Sequence, residues 1–199
     1  MSSVAKQAGD AGAVRTASGA GWETRRIIIV AGLAVGMVLG FAGNFLPTGT
    51  PQNIAYLFSS LGLIVAGALY ALRLIRTGFD LVGIGIALFA LGEVVILSAG
   101  TPSDPGGNAS FSAGVALYAL GLPLASLPLA SPFPIWARAT GVLAAIAFAA
   151  HALMWWTGHQ VLSSGPLASI GYVLLVITIA GWILALLRTP ATAPETEQP

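Results

Sequence analysis

The stretch Leu81–Ala99, LVGIGIALFALGEVVILSA, is an apolar run with a single charged residue, Glu93. A membrane-spanning helix needs roughly 20 apolar residues, with a usable range of about 17–25, and this run has that length. We therefore expect Leu81–Ala99 to cross a membrane as a helix, with Glu93 in the hydrocarbon. A carboxylate there is costly, and it is by default a candidate functional group.

Five further runs share this length and character, so the sequence predicts an all-α, polytopic integral membrane protein with six transmembrane helices. The composition agrees, because 56% of the 199 residues are hydrophobic and 8% are charged, whereas soluble domains carry about 25% charged residues. Turn-forming residues separate the runs. The other predicted helices are Ile27–Leu46, Ile54–Leu74, Phe111–Ala130, Ala139–Thr157 and Leu167–Leu187.

The predicted helices lie between two polar ends. Residues 1–24 are rich in Ala, Gly and Ser and lack apolar periodicity, which predicts a flexible, cytoplasmic N-terminal tail. Residues 25–188 form the predicted six-helix transmembrane domain, and residues 189–199 are expected to be a second short, flexible tail.

The positive charges predict the orientation of the helices. If the six runs alternate in direction, every Lys and Arg falls on one side of the membrane, and the three loops on the other side have none. The positive-inside rule then places both termini in the cytoplasm, and we expect a plasma membrane of the bacterial inner-membrane type. The residues concerned are Lys6, Arg15, Arg25, Arg26, Arg73, Arg76, Arg138 and Arg188.

Composition also excludes several kinds of site. The chain has no cysteine, which rules out disulfides, thiolate metal sites and a cysteine nucleophile. The sole lysine, Lys6, lies in the predicted tail, so no lysine inside the membrane can form a Schiff base. A net charge of +1 without a basic stripe argues against nucleic-acid binding. We expect no cofactor and no metal, and the lipid bilayer as the first partner.

Short matches between the helices suggest an internal repeat of three helical hairpins around a pseudo-threefold axis. Chance is the alternative, since Gly, Ala and Ser dominate the chain. Aligning the third and fifth helices pairs Gly83 with Gly141, Glu93 with His151 and Gly100 with Gly158. Aligning the first and third pairs Gly36 with Gly85 and Asn44 with Glu93. The even helices share a Ser-x-Gly at Ser60–Gly62, Ser112–Gly114 and Ser169–Gly171.

Counting residues along the helices predicts a polar layer at one depth. Glu93 lies 13 residues after Asp80, and His151 lies 13 residues after Arg138. At about 1.5 Å of rise per residue, both side chains lie about 20 Å from the cytoplasmic ends of their helices. Other polar residues fall near this level, and the layer would face the interior of the bundle, because lipid would not tolerate it. They are Asn44, Ser59, Ser60, Tyr118 and Tyr172.

This layer predicts a small transporter or proton-linked channel for a small solute or a proton. A glutamate and a histidine in contact can share one proton near neutral pH, and Glu93 alone can hold a cation. The alternative is a non-catalytic membrane subunit or accessory protein, in which the layer only joins helices and an oligomer or partner subunit is expected. The candidate site residues are Glu93, His151, Asn44, Tyr118 and Ser60.

An enzyme is the weakest of the alternatives. The sequence has no His-Glu-x-x-His motif for a zinc protease. The two histidines lie on or next to one predicted helix, so two helices cannot each supply one to a haem. An intramembrane serine hydrolase would need a serine facing His151, and Ser112 is the nearest by depth, but no oxyanion-hole pattern accompanies it. We therefore expect no catalytic residues.

Overall fold

The computed structural model describes residues 2–98, 107–159, 161–162 and 165–189, with side chains from Gly21 onward. These residues form six α-helices and no strand, as the sequence predicts, and each helix is long and apolar enough to span a membrane. The chain is thus a multi-pass membrane protein. The helices are α1 (Ser2–Gly43), α2 (Thr50–Arg76), α3 (Asp80–Ser98), α4 (Gly107–Ser126), α5 (Ile135–Trp156) and α6 (Pro166–Arg188).

The largest difference from the predicted boundaries is at the start of α1. Its membrane-length part is Gly21–Gly43, but the helix begins at Ser2, within the segment predicted to be an N-terminal tail. Alanine recurs along this segment and has the highest intrinsic helix propensity, which accounts for the helix. Residues 190–199, most of the predicted C-terminal tail, and Gly100 lie outside the described residues.

The six helices form a ring in chain order. Each helix packs on the helices before and after it, and α1 packs on α6 to close the ring, with the least extensive contact of the six. In the part of the chain that the structure describes, no backbone contact joins helices that are not neighbours in this ring. Side chains alone therefore fill the space along its axis.

All the arginines from Arg25 onward lie at one end of this up-and-down ring, which we call the arginine end. Arg26 donates to the carbonyl oxygens of Leu187 and Thr189 at 3.4 Å, and Arg138 donates to the Ser126 carbonyl at 2.7 Å. Cations near helix C-termini are favourable because the last carbonyls have no partner in the helix. These contacts tie the ends of α4 and α6 to α5 and α1.

Glycines let neighbouring helices approach closely. Gly92 of α3 faces Gly114 of α4, and a Cβ added at Gly92 would lie 2.7 Å from the Gly114 carbonyl oxygen and from the Tyr118 ring. Across α1 and α2, a Cβ added at Gly32 would lie 2.8 Å from the Gly62 carbonyl oxygen. Small residues at such positions are what allow helices to pack inside a membrane.

We expect Gly92→Ala to destabilise the protein. The added methyl group would push α3 away from α4, and such overpacking costs about 1–3 kcal/mol. The melting temperature in detergent should fall by about 2–4 °C for each kcal/mol. Gly21→Ala is the matched control, since a Cβ there meets nothing within 4 Å. Equal melting temperatures for the two variants would contradict this packing.

A continuous series of ring contacts fills the axis, and we call it the aromatic column. Phe89 of α3 contacts Trp182 of α6 with ring centroids 5.5 Å apart, although these helices face each other across the ring. Such edge-to-face and offset arrangements are favourable between aromatic side chains. From the arginine end, the column consists of Tyr70, Phe133, Trp182, Phe89, Tyr118, Phe148, Tyr172 and Phe111.

Trp182→Ala should be among the most damaging substitutions in the core. Trp182 is 1% exposed, whereas Trp156 at the end of α5 is 65% exposed. Truncating a buried tryptophan costs about 3–5 kcal/mol, because it removes contacts and leaves a cavity. Thermal unfolding in detergent should therefore separate Trp182→Ala from the control Trp156→Ala, which should stay close to the wild type. A small change in melting temperature for Trp182→Ala would mean that the aromatic column does not stabilise the core.

The outside of the ring is apolar, as lipid contact requires. Large hydrophobic side chains on every helix are exposed, and in a soluble protein so many would form adhesive patches. Examples are Val38, Leu61, Leu91, Leu120, Ile146 and Val173.

Candidate functional site

Glu93 lies inside the ring and is only 4% exposed. It is on α3, five residues before the last residue, Ser98, and one turn beyond Phe89 of the aromatic column. The buried face of α3 contains three glycines and one alanine beside Phe89 and Ile86, so neighbouring helices come close to the carboxyl group. Its two hydrogen-bond partners come from these neighbouring helices.

Two hydroxyl groups donate to the Glu93 carboxyl group, one to each oxygen. The Ser60 Oγ of α2 donates to Oε2 at 2.7 Å, and the Tyr118 Oη of α4 donates to Oε1. Helical side chains lean towards the N-terminus of their own helix. Because α3 runs antiparallel to α2 and α4, Glu93 leans towards the side chains of Ser60 and Tyr118, and the three meet.

Tyr172 of α6 completes this group, which we call the carboxyl cluster: Ser60, Glu93, Tyr118 and Tyr172. Tyr172 is half-buried. Its ring contacts Phe148 at 5.4 Å, and Phe148 contacts Tyr118 at 5.3 Å. Tyr172 is not among the predicted site residues, although its depth in the sequence places it in the predicted polar layer.

His151 is buried but has its own surroundings. The Ser112 Oγ lies 3.5 Å from its Nε2, and the Phe111 ring stands edge-on with centroids 5.3 Å apart. Like Glu93, His151 lies five residues before the end of its helix. No hydrogen bond joins these two side chains, both of which the structure describes. The reason is the order of the helices in the ring, because α4 separates α3 from α5. Tyr118 of α4 is the partner of Glu93, and Ser112 of α4 is the partner of His151.

Asn44 lies apart from Glu93. It follows the last residue of α1, is exposed, and donates to the Gly40 and Phe41 carbonyl oxygens at 3.1 and 3.2 Å. Its Oδ1 accepts a hydrogen bond from the Tyr56 hydroxyl of α2 at 3.2 Å. Of the five predicted site residues, the structure thus joins Glu93, Ser60 and Tyr118 directly, and leaves His151 and Asn44 outside.

The carboxyl cluster suits a proton or a single positive charge. Glu93 is its one carboxyl group, and no lysine or arginine belongs to it. Among residues 2–98, 107–159, 161–162 and 165–189, no three His, Cys, Asp or Glu side chains group as metal ligands would. A carboxyl group and a phenol joined by a hydrogen bond can pass a proton between them.

The Ser112–His151 contact does not resemble a hydrolase site. A serine nucleophile needs a base within about 2.6–3.2 Å and a third group that orients the base. The contact here is 3.5 Å, and within the described residues no carboxylate accepts from the His151 ring. The pair instead links α4 and α5 inside the ring.

In this conformation Glu93 and Tyr118 are closed off from the surface. Two surface cavities, of about 360 and 250 Å³, lie at the arginine end. The first is between the start of α5 and the end of α6, the second between α1 and the end of α6. Neither borders Glu93, and the aromatic column fills the axis between the arginine end and the cluster.

Comparisons with known proteins add nothing to this geometry: no protein-family model, no curated protein and no solved structure matches the chain.

Proposed function

We propose that this protein is a small membrane carrier that exchanges a proton for an organic cation at Glu93. The observation that carries the proposal is the buried Glu93 carboxyl group, held by Ser60 and Tyr118 from the two neighbouring helices. A single carboxylate inside a membrane can neutralise one positive charge at a time. A proton and a cation therefore compete for it, and this competition couples their movements.

The walls of the site favour an organic cation over an anion. The rings of Phe89 and Tyr118 lie 4.9 Å apart beside Glu93, and those of Phe148 and Tyr172 continue the wall. Aromatic faces attract cations, most strongly where water is excluded. An anion would meet a carboxylate here without a lysine or arginine to balance it. A small cation with an apolar body, such as a quaternary aromatic amine, fits this chemistry.

The closed conformation supports a carrier better than an open channel. The aromatic column leaves no open path along the ring axis, so a solute can cross only after a conformational change. A carrier exposes its site to one side at a time, and an occluded state with the site filled by its own hydroxyl groups belongs to such a cycle.

The test uses vesicles that contain the purified protein and a pH dye. With the interior kept acidic, external benzyltrimethylammonium should raise the internal pH as protons leave in exchange. Benzylsulfonate, which has a similar apolar body and the opposite charge, should not. Protein-free vesicles correct for passive leak. If neither compound moves protons at any gradient, the exchange proposal fails.

A structural role is the second candidate, and one observation favours it: both Glu93 oxygens already have partners. In that case the cluster only fixes α2, α3 and α4 in register, and the protein is an accessory subunit of a membrane assembly. Glu93→Gln would then lower the melting temperature without changing any proton movement, and pull-down from membranes would recover a stable partner.

We further propose that the arginine end faces the cytoplasm of a bacterial-type plasma membrane. The support is the distribution of positive charge in the sequence. Single cysteines at Thr48, between α1 and α2, and at Thr77, between α2 and α3, test it, because both residues are exposed and the chain has no cysteine of its own. An impermeant thiol reagent added to whole cells should label T48C and not T77C. The reverse pattern would invert the orientation.

A further inference from the structure

A surface cavity of about 360 Å³ lies at the arginine end, between the start of α5 and the end of α6. Sites for small molecules have volumes of about 300–1,000 Å³, and this cavity falls within that range. Phe133 forms one wall of it and also contacts the rings of Tyr70 and Trp182 in the aromatic column. The cavity therefore lies outside the column, and the exchange proposed at Glu93 makes no use of it.

The cavity exists because α5 begins too late to cover the end of α6. The two helices pack tightly at Gly181, where an added Cβ would clash with the Cβ of Ala137. Pro134 comes just before α5 and has an extended backbone, so no helical turn of α5 lies beyond this contact. The same face of α6 continues past Gly181 and lines the cavity with Leu184, Ala185 and Arg188.

Trp136 indicates the level of the cavity in the membrane. It is the second residue of α5, is 41% exposed, and has its ring beside Gly181. Tryptophan side chains concentrate at the boundary between hydrocarbon and lipid headgroups. The membrane-length span of α6 also ends at this level, at Arg188. The cavity therefore lies at the depth of the headgroups.

The end of α6 presents a positive charge to this cavity. Arg188 lines it and is exposed, and no carboxylate among the described residues pairs with it. The last carbonyl groups of a helix repel anions, but here they have donors. Arg26 donates to the Leu187 and Thr189 carbonyls, and the Thr189 hydroxyl donates to the Ala185 carbonyl at 2.9 Å. An anion beside Arg188 thus meets a net attraction.

From this arrangement we infer that the cavity binds the headgroup of an anionic phospholipid. A guanidinium group can form two parallel hydrogen bonds to one phosphate, and basic pockets between transmembrane helices suit anionic headgroups. Leu184 and Ala185 give the glycerol and the first acyl carbons an apolar wall, which a free phosphate would leave uncovered. A choline headgroup would bring a second cation to Arg188, so phosphatidylglycerol fits better than phosphatidylcholine. The inference does not depend on the role of Glu93.

Native mass spectrometry of the purified full chain in detergent tests this site. Phosphatidylglycerol and phosphatidylcholine with the same acyl chains are added in equal amounts, and the lipid retained on the protein is identified. The wild type should retain mostly phosphatidylglycerol. Arg188→Gln should weaken its binding about tenfold, because the charge-assisted bonds to phosphate are lost. Arg188→Lys keeps the charge but not the paired bonds, and should lie between the two.

Two further variants separate the cavity from general attraction to the arginine end. Arg76→Gln is the matched control, since Arg76 is exposed, borders neither cavity and lies at the α2–α3 seam, opposite α5 and α6 in the ring. It should retain phosphatidylglycerol as the wild type does. Ala185→Phe keeps every charge but fills the cavity, and it should lower retention as Arg188→Gln does. Thermal melting shows that each variant is folded.

Several results would overturn the headgroup site. One is equal retention of phosphatidylglycerol by the wild type and Arg188→Gln, and another is an equal loss in Arg76→Gln. Excess inorganic phosphate should not displace the lipid, and displacement would indicate a site for the free anion instead. If Arg188→Gln changes only the proportion of dimer, a second copy of the chain covers the cavity and the lipid inference fails.

Discussion

Glu93→Gln should abolish the proton movement that benzyltrimethylammonium drives in vesicles, while the protein stays folded. Glutamine is nearly isosteric with glutamate, and its carbonyl oxygen can still accept from Ser60 or Tyr118, which now donate to the carboxyl group. It cannot release a proton or balance a cation. Loss of a group that transfers a proton typically reduces rates by about 10²–10⁴-fold. We therefore expect the exchange rate to fall by a factor of about 10² or more.

Glu23→Gln is the matched control for this experiment. Glu23 lies at the arginine end, where it pairs with Arg26 at 3.5 Å and remains 42% exposed. An exposed pair of this kind contributes about 0–1 kcal/mol, so its loss should change neither fold nor exchange. If the Glu93→Gln protein is folded by thermal melting and still exchanges protons at the wild-type rate, Glu93 is not the working group.

A double-mutant cycle should show that Glu93 is coupled to Ser60 and not to His151. Removing Glu93 leaves a buried hydroxyl without its acceptor, at a cost of about 1–3 kcal/mol. Residues in direct contact show coupling energies of about 0.5–3 kcal/mol, whereas separate sites add within about 0.3–0.5 kcal/mol. Glu93→Ala with Ser60→Ala should therefore be strongly non-additive, and Glu93→Ala with His151→Ala close to additive.

The cycle is measured as the free energy of unfolding in detergent for the single and double variants. Ser112→Ala with His151→Ala is the positive control, because these two side chains contact each other directly. Strong coupling between Glu93 and His151 would show that they share a proton or a hydrogen bond, as the sequence analysis predicted. It would contradict the separate contacts that α4 makes with Glu93 through Tyr118 and with His151 through Ser112.

The sequence predicts the transmembrane helices well because the signal is local. Each span has a high mean hydropathy, from 1.4 to 2.5, and few charges, so composition over one window decides it. Depth along a helix is also local, and it places Ser60, Glu93 and Tyr118 near one level. The structure shows these three in contact.

The partners of His151 and Asn44 could not be read in the same way, because depth does not specify which helices are neighbours. His151 shares the level of Glu93, but α4 lies between their helices and supplies Ser112 as the partner instead. Asn44 lies near the layer in sequence, but its side chain bonds to Tyr56 and to the carbonyl oxygens of its own helix. The order of the helices in the ring and the rotation of each helix about its axis determine the partners of His151 and Asn44. Neither property can be read from a single sequence.

The aromatic column shows the same limit. Its rings come from five helices or their connections and are far apart in the chain, so no short pattern joins them. Trp182 is near the arginine end of α6 and is buried against Phe89 across the ring. Only the closed ring explains why so large a side chain points inward.

Infrared difference spectroscopy of the purified protein tests the central claim most directly, since it shows whether the Glu93 carboxyl group carries a proton. A carboxylic acid band that is present in the wild type and missing in Glu93→Gln assigns the group. The exchange proposal predicts that saturating benzyltrimethylammonium removes this band and releases a proton to the medium, while benzylsulfonate leaves the band unchanged. A Glu93 band that persists unchanged with the cation bound would contradict it.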